Sequence, residues 1–118
     1  LKSTGPTSEL VLQGIRAVRK AREKAPIWRY VYGQITKASR SRTVVNLSRI
    51  ARYAQSGSTV VVPGKVLGAG SVGFPLTVVA LSFSRSAVDK IHKAKGKALT
   101  FDEFLASRRT KKGLVILK

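Results

Sequence analysis

The chain has 118 residues, 23 lysines and arginines against five acids, and a formal net charge of +18. A balance this one-sided repels itself in a compact fold unless a polyanion neutralises it, yet 43% of the residues are apolar, more than a disordered charged arm carries. The expectation is therefore a single folded domain over residues 1–118 that binds nucleic acid. Cysteine is absent, which excludes disulfides and thiolate metal sites and suits a reducing cytosol.

The apolar stretches, such as residues 76–81, fall far short of the ~20 residues of a membrane-spanning helix, and the N-terminus has no hydrophobic signal core. Methionine is also absent and the chain begins at Leu1, so a few further N-terminal residues are expected ahead of it. Residues up to 25 read as a helix behind the Gly5-Pro6 breaker, with Thr7 or Ser8 as N-cap and Glu9 complementing the positive helix end. On a helical projection Leu10, Val11, Gly14, Ile15, Ala17, Val18 and Ala21 share one side. Arg16, Arg19, Lys20 and Lys24 share the other, with Leu12 and Glu23 as exceptions, which gives a buried face and a cationic stripe.

Pro26 is expected to end that helix, and residues 27–37 to form a second, with Ile27, Trp28, Val31 and Ile35 at helical spacing. Trp28 reads as a core anchor and not a base-stacking platform. Tyr30 and Tyr32 can reach solvent or RNA, and Arg29 and Lys37 are basic candidates on the same segment. Residues 39–43 make a short polar loop carrying Arg40 and Arg42. Val44 and Val45 are extended, and Asn46 is the expected N-cap of a helix from residue 47 to about 54. There Leu47, Ile50 and Ala54 face inward, leaving Arg49, Arg52 and Tyr53 on the other sides.

A β-rich half follows the Ser56-Gly57-Ser58 stop: residues 59–62, a turn at Pro63-Gly64, residues 65–67, a glycine-rich hairpin loop over 68–73, and residues 76–81. Their uninterrupted valine and leucine runs imply strands covered on both faces. Ser84 is expected to cap a helix through residue 94, with Ala87, Val88, Ile91 and Ala94 inward and Gly96 as the left-handed residue beyond its end. Residues 97–99 form a short strand, and Thr100 with Glu103 has the capping-box spacing for a helix to about residue 107. A basic turn carrying Arg108, Arg109, Lys111 and Lys112 precedes a last strand at 114–117.

Catalytic chemistry finds little support. Residues 68–73 read Gly-Ala-Gly-Ser-Val-Gly and fit the dinucleotide-binding pattern, but that mechanism needs a helix directly behind the glycines and an acid on the ribose about 20 residues later. Phe74-Pro75 and a strand follow instead, and the nearest acid, Asp89, falls inside a helix. Asp102 and Glu103 are adjacent on a helix and diverge by about 100°, so they cannot flank a substrate as a pair. His92 is the one histidine and has no partner ligand at metal spacing. Ser84, His92 and Asp89 lack the strand-turn-helix setting of a nucleophile. The basic loops, by contrast, recur between packed elements, an arrangement suited to the irregular backbone of folded RNA. Zinc-finger, zipper and aromatic RNP patterns are absent, which weakens sequence-specific DNA reading.

Val45-Asn46-Leu47-Ser48-Arg49-Ile50, the run from Val61-Val62-Pro63-Gly64-Lys65 to Gly68-Ala69-Gly70, and Ala80-Leu81-Ser82-Phe83-Ser84 with Ala87, Ile91 and Gly96 resemble the large-subunit ribosomal protein family called "eighteen-e" in archaea, whose bacterial relative is ribosomal protein "fifteen". Ala25-Pro26-Ile27-Trp28-Arg29 is also similar to the archaeal members, so the resemblance covers nearly the whole chain. It implies an α+β fold, with an irregular β-β-α superhelical core of short strands and packed helices preceded by N-terminal helices. It also implies embedding in large-subunit rRNA beside neighbouring large-subunit proteins, and no cofactor or catalysis. Carried onto this chain, it makes Arg40, Arg42, Asn46, Arg49, Lys65, Gly68 and Gly70 the foremost rRNA contacts. Family members usually carry more acid in the helix after Ser84, where Arg85 and Asp89 stand here, and often a glycine where Lys95 stands. The long basic extension of eukaryotic members is missing, which favours an archaeal-type subunit. The competing readings are a free RNA- or DNA-binding regulatory or chromatin protein and, less favoured, a cationic protein on anionic membranes.

Overall fold

The computed structural model describes residues 9–36, 43–106 and 114–117. Among them are five helices and five strands: α1 (Glu9–Ala21), α2 (Pro26–Ile35), β1 (Thr43–Asn46), α3 (Leu47–Tyr53), β2 (Thr59–Leu67), β3 (Thr77–Phe83), α4 (Arg85–Lys93), β4 (Lys97–Thr100), α5 (Phe101–Ala106) and β5 (Leu114–Ile116). The expected mixture of N-terminal helices followed by short strands with packed helices is present, and the strands share one sheet in which each pairing is parallel. β2 is its axis. One edge of β2 pairs with β3, which pairs with β4, and the other edge is divided between β5 at its start and β1 at its end.

Parallel strands need cover on both faces, and the side-chain alternation along β2 and β3 supplies it. Val60, Val62, Val66, Val78 and Ala80 pack with Leu47 and Ile50 of α3 and Ala87 and Ile91 of α4. The intervening Val61, Val79 and Leu81 pack with Val18, Trp28, Val31, Ile35, Phe101 and Phe104 from α1, α2 and α5. Trp28 is buried as expected and meets Phe101 edge-on at 6.3 Å and Phe104 at 6.1 Å, ring separations at which aromatic pairs attract.

Several local expectations are corrected. α1 ends at Ala21, and Pro26 opens α2 instead of closing its predecessor, because at the first helical position proline loses no hydrogen bond. Pro63-Gly64 is not a turn but a bulge inside one continuous strand: Val62 lies opposite Ala80 and Lys65 opposite Ser82. A bulge tolerates the missing proline N–H, and a Cβ on Gly64 would strike the Thr43 carbonyl of β1. The glycine-rich segment is not a hairpin loop, since β2 and β3 run in the same direction. The chain must return across the α3/α4 face, and Val72, Phe74 and Leu76 pack there as it does so.

Helix ends show the same mixture. Ser84 caps α4 as expected, its hydroxyl accepting from the Ala87 N–H at 3.2 Å. At the other end Lys95, not Gly96, takes the left-handed conformation, with φ of 64°. The Gly96 N–H donates to Ile91 O and the Lys95 N–H to His92 O, both at 2.9 Å, the double closure that ends many helices. Gly96 is required for space instead, because a Cβ there would meet the Leu76 carbonyl. Asn46 precedes α3 with an extended backbone but makes no side-chain cap bond. In the Thr100 capping box Glu103 Oε1 accepts the Thr100 N–H at 2.9 Å, while the Thr100 hydroxyl turns to Asp102 Oδ1 at 2.6 Å. The N-cap candidates Thr7 and Ser8 and the expected helix end at Ser107 lie outside the described residues.

Candidate nucleic-acid interface

Parallel strands place their C-terminal ends at one rim of the sheet, and there β1 runs into α3 while β2 runs into the glycine segment. The two are tied together: the Ser48 N–H donates to Ala69 O at 3.0 Å. Lys90 of α4 reaches across to donate its ammonium to Gly68 O at 2.6 Å and Gly70 O at 2.7 Å. Gly68 is buried, and a Cβ on it would collide with Ser86 at the start of α4. Gly70 is exposed, has φ of +89°, and would place a Cβ 2.6 Å from that of Ser48. Both glycines are thus demanded by close approach of two helix starts. Three successive carbonyls of this segment face protein donors, and β3 follows with no helix behind the glycines. A pyrophosphate cradle needs N–H groups and a helix start in those places, so the dinucleotide pattern is a coincidence of spacing.

Around this corner the fold brings together Asn46, Arg49 and the Gly68–Gly70 turn, with Asn46, Arg49 and Arg52 all exposed. The Arg49 guanidinium lies 5.9 Å from the Tyr53 ring centre, and Tyr53 is itself 55% exposed. Lys65 is exposed at the bulged end of β2, on the sheet face opposite Val66. Since Val66 packs toward α3 and α4, Lys65 faces away from Arg49.

A second group forms on α1 and its neighbours. Arg16, Arg19 and Lys20 are exposed on α1, and Arg29 on α2. Arg29 belongs to a small depression with Arg22, Glu23 and Tyr32, where the Arg22 guanidinium lies 4.7 Å from the Tyr32 ring centre. Arg16 and Lys20, joined by Lys24, instead border a groove of ≈ 660 Å³ between α1, α2 and α5. Its floor contains Ala17, Ala21, Ala25 and Trp28, with Leu105 on the α5 side. Sequence reasoning did not find this groove, although a partial signal exists: Arg16-Ala17 and Lys20-Ala21 place a cation and a methyl side by side four residues apart on α1, which stacks them along one side of the helix.

Lys37, Arg40, Arg42, Arg108, Arg109, Lys111 and Lys112 lie outside the described residues. No charged or polar side chain among the described residues is buried, and none of their His, Asp or Glu residues cluster as a metal site. No helix among them is long and apolar enough to cross a membrane.

The whole chain, residues 1–118, matches the family described as "Ribosomal protein 60S L18 and 50S L18e". It is 40% identical over 115 residues to large ribosomal subunit protein eL18 of Sulfurisphaera tokodaii, covering 98% of this chain and 96% of that protein. It is 40% identical over 106 residues to the eL18 protein of Methanococcus maripaludis, covering 90% and 88%. It is 45% identical over 85 residues to that of Archaeoglobus fulgidus, covering 72% and 73%.

Proposed function

The chain belongs to the ribosomal protein family of 60S L18 and 50S L18e, and is a structural constituent of the large ribosomal subunit and not an enzyme; from this premise we propose that it binds and stabilises folded large-subunit rRNA as a single domain over residues 1–118. The observation that carries the reading is the pairing of a +18 charge with a fold in which no described charged side chain is buried. Apolar residues fill both cores and leave the excess positive charge at the surface, where a polyanion neutralises it.

The proposed contacts form two fields. One is the corner of Asn46, Arg49 and Arg52 with the turn that Gly68 seats and Gly70 presents. The other is the α1/α2 surface of Arg16, Arg19, Lys20 and Arg29. Lys65 and the basic segments carrying Lys37, Arg40, Arg42, Arg108, Arg109, Lys111 and Lys112 are further proposed contacts. Neighbouring large-subunit proteins meet the remaining surface. The succession β2, β3, α4 is read as the family's β-β-α superhelical unit.

Binding of this kind is dominated by counterion release. With about six to ten phosphates neutralised, raising salt from ~50 to ~200 mM weakens affinity for large-subunit rRNA by roughly a thousandfold or more, by analogy with duplex DNA. A filter-binding titration across that range checks it, and a nearly flat dependence would reject the reading.

A further inference from the structure

The α1/α2/α5 groove combines two properties. It is lined by Ala17, Ala21 and Ala25 and by Trp28, and also by the cations Arg16, Lys20 and Lys24. Arg16 and Lys20 stand one four-residue step apart on α1, about 6 Å, and Lys24 follows in the turn beyond the helix end at Ala21, so cations border the apolar slot along one side. Its volume of ≈ 660 Å³ lies inside the range of about 300–1,000 Å³ typical of small-molecule sites. A slot of this kind accepts the flat apolar face of a base against its methyl groups while the cations accept its backbone, as the basic grooves of single-strand binders do. Asp102 also lines the groove. Its Oδ1 accepts the Thr100 hydroxyl, and a carboxylate retains further acceptor positions, which fits the exocyclic amino group of a base.

We propose that this groove receives one unstacked base of the large-subunit rRNA, with the flanking phosphates running along Arg16, Lys20 and Lys24. The inference rests on the rRNA reading above and names the subsite through which part of that binding is made. An unpaired nucleotide is the fitting occupant because folded RNA offers splayed bases in its loops and bulges. A paired helix presents only phosphates to the cations and leaves the slot empty.

Trp28 is the one tryptophan of the chain, so its emission reports on the slot without a label. The full chain is titrated with single-stranded hexa-adenylate and, separately, with a blunt RNA duplex of equal phosphate number. The single strand quenches Trp28 saturably and the duplex does not. Ala17→Leu, which fills the half-buried floor and keeps every charge, abolishes the quenching. It also weakens binding to transcribed archaeal large-subunit rRNA while leaving the salt dependence of that binding unchanged. Ala106→Phe, at the exposed α5 end of the groove, repeats the result without touching the core, and circular dichroism confirms that both variants fold. Tight rRNA binding by the wild type with Trp28 emission unmoved by hexa-adenylate, and unchanged in both variants, would overturn the subsite and leave the rRNA reading standing. Variants with normal rRNA affinity that fail to join subunits assembled with the other ribosomal proteins would overturn it in favour of a protein occupant. A wild-type chain that does not bind the rRNA would overturn both.

Discussion

On the face covered by α3 and α4, backbone approaches backbone: Gly68 against Ser86, Gly70 against Ser48 and Gly96 against Leu76 leave no room for a Cβ, and Lys90 pins the glycine turn by two carbonyls. On the face covered by α1, α2 and α5 the space is filled by large side chains, with Trp28, Phe101 and Phe104 in mutual contact. There α2 and α5, both packed on α1, leave a groove between them. The first face is intolerant of added atoms and the second of removed ones. A candidate contact on the first side is therefore shaped by main chain, and on the second by the spacing between helices.

Truncation on the ring-filled face tests this contrast most severely. Trp28→Ala is expected to cost about 3–5 kcal/mol, enough to threaten a domain of ordinary stability, and urea denaturation measures it. A Trp28→Ala protein that melts normally would mean that the rings are not what holds α2 down.

Addition on the other face comes next. Gly68→Ala is expected to destabilise by about 1–3 kcal/mol through overpacking against Ser86, with Gly68→Ala/Ser86→Gly recovering part of the loss in the same denaturation experiment. Full tolerance of the single variant would show that the close approach relaxes cheaply.

Lys90→Met keeps the length of the side chain but removes both bonds to the glycine turn, for an expected loss of about 1–2 kcal/mol. Its rRNA salt slope should stay unchanged, because the ammonium is engaged by Gly68 and Gly70. A slope shallower by about one unit would identify a phosphate contact instead.

The smallest effect has the opposite sign. Lys95 holds φ of 64°, which costs a side chain roughly 1–2 kcal/mol, whereas glycine adds only about 0.5–1 kcal/mol of unfolded-state entropy. Lys95→Gly is accordingly expected to stabilise by about 0.5 kcal/mol, seen as a small rise in melting temperature.

What the sequence determined by itself was local. The apolar stripes of α1, α2 and α4, the Ser84 cap, the burial of Trp28 and the two-sided burial of the valine runs follow from periodicity and capping, which act over one or two turns. The charge excess and the motif runs likewise pointed to a ribosomal family before any fold was known. What only tertiary structure decided were the properties set by partners distant in sequence. Residues 68–76 make a parallel return and not a hairpin because β2 and β3 each bury both faces between two helical layers. Pro63-Gly64 stays within a strand because β2 exchanges neighbours there, from β5 to β1. Gly96 is a glycine because Leu76 lies against it, which passes the left-handed turn to Lys95. The groove, too, depends on how α2 and α5 are held relative to each other, through the contacts of Trp28 with Phe101 and Phe104, and on no residue of α1 alone.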